Sequence, residues 1–202
     1  TSSDRDWSSD VCSSDLAERL FLTNGYSETG VSDIVRETGV AQGTFYYHFK
    51  TKEDVLTAIV HKTAEELDTR LKQITGNTEL SPVNRLHRLL GTLFLFMETN
   101  KHLIALVHMD SNALLHHRLM GTMSRIIRKY LLLLADEGAK SGSFHTPYQD
   151  EMIDFFLGGL TSMLHRTDLA DDIAKAEQFR AAVRMAASRL FQFAEPHEEN
   201  AE

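Results

Sequence analysis

Between Gln42 and Lys52 the chain reads QGTFYYHFKTK. Gln42, Thr44, Tyr46, Tyr47 and His48 each carry a hydrogen-bonding group, and none is an apolar aliphatic. Such groups suit phosphate oxygens and base edges. Lys50 and Lys52 add positive charge immediately afterwards. Phe45 and Phe49 are four residues apart, so on a helix they anchor one face and leave the polar set on the other. Two adjacent tyrosines fit a surface that becomes buried on binding, because the ring is apolar and its hydroxyl tip is not. Tyr46 is also expected to pack partly against neighbouring helices, since only its tip must reach out.

The elements that position these residues span Val31 to Lys52 and have the pattern of a helix-turn-helix. Ser32 is expected to cap the first helix. Gly39 supplies the left-handed residue that allows a sharp turn after it. Ile34, Val35, Val40, Phe45 and Phe49 form a small core that sets the angle between the two helices.

The string LF-x-x-x-GY from Leu20 to Tyr26, V-S-D-I from Val31 to Ile34, and G-V-A-Q-G-T-F-Y-Y-H-F-K-T-K-E from Gly39 to Glu53 resembles the DNA-binding domain of the tetracycline-repressor (TetR) family of bacterial regulators. The resemblance covers about residues 17–59. It implies an all-α homodimer that represses transcription from palindromic double-stranded operator DNA until a small-molecule inducer binds. By position, Gln42 looks like a base-reading residue, whose amide can pair with adenine N6 and N7. Thr44, Tyr46, Tyr47 and His48 look like phosphate or groove contacts, Ser32 and Lys52 like phosphate contacts, and Gly43 like a close-packing position within the interface. Gln42→Ala is then expected to relax base preference, and Lys52→Ala to weaken binding to every sequence and flatten its salt dependence. The resemblance also implies that ligand binding moves the fourth helix, taking the paired recognition helices off the groove spacing of ~34–36 Å.

Bulk composition points elsewhere. The 202 residues carry a formal charge of −8, with one cysteine (Cys12), one tryptophan (Trp7) and three prolines. A single cysteine excludes an internal disulfide and a cysteine-based zinc site. No apolar run reaches the ~20 residues of a membrane span. Much of the acidity is local. Residues 1–16, TSSDRDWSSDVCSSDL, repeat Ser-Ser-Asp three times, and Asp6 to Leu16 resembles the in-frame translation of a short-read sequencing adapter. The alternative is a natural acidic arm. Asp4, Asp6, Asp10 and Asp15 against Arg5 make this segment net −3, so without it the charge is −5, with neither Cys nor Trp. We expect 1–16 to be non-native or disordered, standing where the family has a longer first helix. A protein with a native first helix would therefore bind DNA more tightly than this polypeptide. Leu16 and Cys12 lie at i−4 and i−8 from Leu20, so the segment could continue a helix.

The remainder is helical in pattern, giving an all-α chain of about nine helices: an N-terminal three-helix helix-turn-helix domain (17–62), a C-terminal helical ligand-binding and dimerisation domain (63–194) and an acidic tail (195–202). The first helix is expected to be short, from Ala17 to Asn24. All seven methionines fall between Met97 and Met185, as gap-filling core or as the lining of an adaptable pocket. Helical phase assigns a ligand pocket to Leu93, Met97, His108, Met109, His116, Met120, Met123, Phe155 and Met163, suited to an apolar or amphipathic molecule. It assigns a dimer face to Met152, Phe156, Leu160, Phe179, Val183, Ala186 and Leu190. No cofactor or metal is expected: His116 and His117 are adjacent, so they point about 100° apart on a helix. A helical-bundle enzyme is disfavoured because no Glu-x-x-His, Walker loop or G-x-S-x-G occurs. A helical ligand-binding dimer that has lost DNA binding is the other alternative. The resemblance places the protein in the bacterial cytoplasm, on the nucleoid when bound to DNA and away from membranes.

Overall fold

A computed structural model describes residues 7–39, 41–107, 113–164 and 173–193. Every regular element among them is a helix: α1 (Trp7–Asn24), α2 (Val31–Thr38), α3 (Gln42–His48), α4 (Lys52–Thr75), α5 (Pro82–Thr99), α6 (Lys101–Val107), α7 (Ala113–Ser141), α8 (Gln149–Leu164) and α9 (Ile173–Phe191). The all-α class and the count of about nine helices hold for the described residues. None of these helices is long and apolar enough to cross a membrane.

The chain divides into two compact units, residues 1–66 with 100–119 and residues 67–99 with 120–202. The division falls inside α4 rather than at residue 62, and α6 belongs with the N-terminal helices, where it meets α1.

Helix α1 starts ten residues before the expected Ala17 and runs through two of the Ser-Ser-Asp repeats. Extending an existing helix costs far less than nucleating one, so poor helix formers can be carried along. Residues 7–16, expected to be disordered, are therefore helical; residues 1–6 and the tail from 194 lie outside the described residues.

The first unit buries Phe21, Tyr26, Ile34, Phe45, Phe49, Val55, Leu56 and Ile59. Helix starts and stops follow local chemistry. Gly39 ends α2 with φ 65° and ψ 6°, the left-handed geometry expected of it. Ser81 accepts the Asn84 amide at 3.2 Å, with Pro82 opening α5. The expected cap of α2 is corrected: Gly30 is the N-cap residue and Ser32 lies one position inside the helix. The Gly30 amide donates to Asp33 Oδ2 at 3.0 Å, so the carboxylate reaches back to the N-cap residue, which has no side chain with which to cap the helix. Val40 lies outside the described residues.

The second unit is built on a core of Leu67, Leu71, Leu86, Leu90, Tyr130, Leu131, Leu134, Phe144, Ile153, Leu157, Phe179 and Phe191, among others. Two polar ties cross it. Buried Arg85 donates to the Thr75 carbonyl at 2.6 Å and pairs with Glu137 at 2.6 Å. Tyr130 donates from its hydroxyl towards Asp68 Oδ1 at 3.0 Å, and Lys129 reaches the same carboxylate oxygen at 3.2 Å.

Candidate nucleic-acid interface

Helix α3 is seven residues long, and packing rather than propensity holds it in place. Phe45 is 2% exposed and Phe49 8%, with ring centroids 5.4 Å apart. Once that face is buried, helical geometry turns Gln42, Gly43, Thr44, Tyr46 and Tyr47 outwards, and all five are exposed. Tyr47 is the most prominent at 76%, its ring edge-on to His48 with centroids 5.0 Å apart. His48 is half-buried. Tyr46 is 37% exposed, with its ring edge-on to Phe45 of the same helix.

A Cβ built at Gly43 meets nothing within 4 Å, so no packing within this chain requires a glycine there. Ser32 is exposed on the first turn of α2, and Asp33 rather than Ser32 accepts the Gly30 amide.

The cations near α3 are engaged with backbone. Lys50 donates from Nζ to the carbonyl of Tyr46, which completes the end of α3. Lys52 donates from Nζ to the carbonyls of Tyr26 at 2.9 Å and Ser27 at 3.1 Å. The same ammonium lies over the Tyr26 ring, 4.6 Å from its centroid. No spacing rule could have revealed this, because the partners are 26 and 25 residues away. The Tyr26 ring is buried against Phe21, centroids 5.0 Å apart. Burial pushes its phenol well above the usual tyrosine range, and the negative charge of Glu53 pushes the same way. Arg36 pairs with Asp33 at 2.8 Å.

The residues assigned to a pocket and to a dimer face divide differently. Leu93 is core, and Met97 and Met123 pack against that core. His116 and Met120 are half-buried. His108 and Met109 lie outside the described residues, as does the side chain of Met163. Phe155 does not line an interior: it is 78% exposed, whereas its neighbour Phe156, assigned to the dimer face, packs against the core. Leu160, Phe179, Val183 and Leu190 are buried within their own chain, so they are core and not a dimer face. Met152 and Ala186 remain exposed, alongside Met185, which helical phase did not single out. The cause is that α8 is apolar on more than one side, and phase alone does not say which side its own chain covers. Among the described residues, no group of three or more His, Cys, Asp or Glu could hold a metal ion.

Comparison with known proteins agrees with this geometry. Residues 15–59 match the family described as "Bacterial regulatory proteins, tetR family". The transcriptional repressor KstR2 of Mycolicibacterium smegmatis is 27% identical over 150 residues, 72% of this chain and 72% of the relative. The fatty acid metabolism regulator protein of Bacillus subtilis is 36% identical over 59 residues, 29% of this chain and 30% of the relative. Among solved structures, a TetR-family transcriptional regulator from Pectobacterium atrosepticum superposes with a TM-score of 0.72 at 19% identity, covering 98% of this chain and 100% of that one. A TetR/AcrR-family regulator from Thermobifida fusca gives 0.68 at 23%, covering 88% and 95%. The helix-turn-helix with its outward polar face, the family match over it and the shared fold across the rest lead to one conclusion: residues 15–59 carry the DNA-binding sequence of the TetR family, and the chain resembles that family's transcriptional regulators in fold across most of its length.

Proposed function

We propose that the chain is a ligand-responsive repressor that grips a palindromic operator as a homodimer, each copy laying α3 in the major groove. The observation that carries this reading is the outward row on α3: Gln42, Gly43, Thr44, Tyr46 and Tyr47 are exposed opposite buried Phe45 and Phe49. Gln42, in the first turn, is where a recognition helix meets base edges. Thr44, Tyr46, Tyr47, His48 and Ser32 then serve phosphates and the groove wall. The open space over Gly43 is where the nucleic-acid backbone comes close to the helix.

The dimer reading rests on the outer faces of α8 and α9. Phe155 and Met185 are 78% and 61% exposed, Met152 is exposed three residues before Phe155, and Gly158 and Gly159 leave room for a close helix approach. The inducer is an apolar or amphipathic small molecule, in keeping with the leucine- and phenylalanine-rich interior of the second unit, against which Met97 and Met123 pack. Such a regulator works in the cytoplasm, on the nucleoid while DNA-bound.

The test is selection of bound duplexes from a random pool, followed by the same selection with Gln42→Ala. A recovered inverted repeat that loses information at one position per half-site in the variant supports the reading. Recovery of no sequence preference by the parent chain overturns it.

A further inference from the structure

We infer that Phe155 of each copy seats over Gly158 and Gly159 of the other, so that two α8 helices lie antiparallel across a twofold axis. This pairing rests on the dimer reading above and deepens it: the occupant of the exposed α8 face is a second copy of this chain, held in one register.

The two glycines lie in the middle of α8, where glycine is the poorest helix former apart from proline. Nothing within the chain calls for them. Neither has a positive φ, both are exposed, and a Cβ built on either meets nothing within 4 Å. Bare backbone at that point lets another helix come close, because the side chains at a contact set the distance between helix axes.

Phe155 supplies the opposite shape. Its exposed ring stands one turn before the notch and on the same face, since residues three and four apart are neighbours on a helix. In a twofold contact, residue i meets residue j and j meets i. With the axis midway between Phe155 and Gly159, each ring falls on the other copy's glycines. A parallel pairing would set ring against ring and glycine against glycine.

Charge favours the antiparallel arrangement. Every charged residue of α8 is acidic, namely Asp150, Glu151 and Asp154, and all three are exposed. Parallel pairing would place them against their copies, whereas antiparallel pairing holds the two Asp150 positions ~20 Å apart at 1.5 Å per residue. Arg128 reaches Asp150 and Asp154 at 2.7 Å each, so these two carboxylates are already paired within the chain. Helix α9, which packs on α8, shows the other sign, with Arg184 and Arg189 exposed. Together the two helices offer both signs to an identical copy. The register also selects the partner: a related chain without glycine at these positions has no seat for Phe155.

The test uses the full chain with Phe155→Ala and with Gly159→Leu. Both positions are exposed and both replacements are better helix formers, and parent-like helicity is checked by circular dichroism. Sedimentation equilibrium at micromolar concentration reads the dimer constant of each chain alone and of the two variants mixed in equal amounts. The parent should dimerise. Phe155→Ala empties both seats and Gly159→Leu fills both, so each variant alone should dimerise on the order of a hundredfold more weakly. Mixed, they should recover: one seat keeps Phe155 on glycine and the other sets alanine against leucine, so the heterodimer should be about tenfold tighter than either homodimer. Either variant dimerising like the parent overturns the pairing, as does a mixture no tighter than its components. A parent that is itself a monomer refutes the dimer reading together with the pairing, whereas a parent dimer insensitive to Gly159→Leu refutes the pairing alone.

Discussion

Thr51 and Asp54 bond each other twice: the Thr51 amide donates to Asp54 Oδ2 at 2.9 Å, and the Asp54 amide donates to Thr51 Oγ1 at 3.1 Å. The Lys50 amide adds a second bond to the same carboxylate oxygen at 2.9 Å. This reciprocal cap starts α4 two residues after α3's buried Phe49, and so sets where the recognition helix's scaffold begins. Removing the hydroxyl, as in Thr51→Ala, should cost about 1 kcal/mol, within the usual range for an N-cap. Chemical denaturation of the variant beside the parent measures it, and a midpoint unchanged at equal slope would contradict the role.

The same cap makes stability depend on pH. The Lys50 and Thr51 amides hold the Asp54 carboxyl below the usual carboxylate range. The Gly30 amide and then Arg36 do the same for Asp33. A folded pKa below the unfolded one contributes stability at pH values above the unfolded value of about 3.9, and that contribution disappears as pH falls through the folded value. The melting temperatures of parent and Asp54→Asn should therefore differ at pH 7 and converge as the pH is lowered to about 2.5. A gap that persists at the acid end would mean the carboxylate charge is not its source.

Gly43 separates folding from binding. Alanine is favoured over glycine inside helices by about 1 kcal/mol, and a Cβ at this position meets nothing in the chain. Gly43→Ala should melt at least as high as the parent yet bind the selected operator more weakly, because in the proposed interface the added methyl stands where the duplex approaches. Thermal melts and fluorescence anisotropy report the two effects independently. Undiminished affinity would remove Gly43 from the interface.

Gly138 is the opposite case. A Cβ there would lie 2.1 Å from a ring carbon of buried Phe144, which also packs on Phe191 with centroids 5.0 Å apart. Gly138→Ala should destabilise the second unit by about 1–3 kcal/mol through overpacking. Paired with Phe144→Leu, part of the loss should return in urea unfolding; additive losses would show that the two positions do not meet.

Phe155 should decide the oligomeric state. Its ring is exposed in the single chain, so Phe155→Glu costs the monomer little while placing a charge in the proposed dimer face. Light scattering at micromolar concentration should read a dimer for the parent and a monomer for the variant. A dimer in both would move the interface elsewhere.

Short-range chemistry was legible in the amino-acid sequence itself. Gly39's left-handed turn, the Thr51 and Ser81–Pro82 helix starts, and the Phe45–Phe49 anchor each depend on residues within about four positions, and local rules reach that far. Burying that one anchor is enough to turn Gln42, Thr44 and Tyr47 outwards, so the outward polar row was readable too. Tertiary structure alone decided that Phe155 faces out while Phe156 faces in, and that Phe179, Val183 and Leu190 belong to the core. A helix apolar on several sides has a period but no unique inner face, and neighbouring helices choose it. The commitment of Lys52 to Tyr26 and Ser27 was hidden for a related reason: a flexible cation takes whichever acceptors folding brings near, and here they come from 26 and 25 residues away.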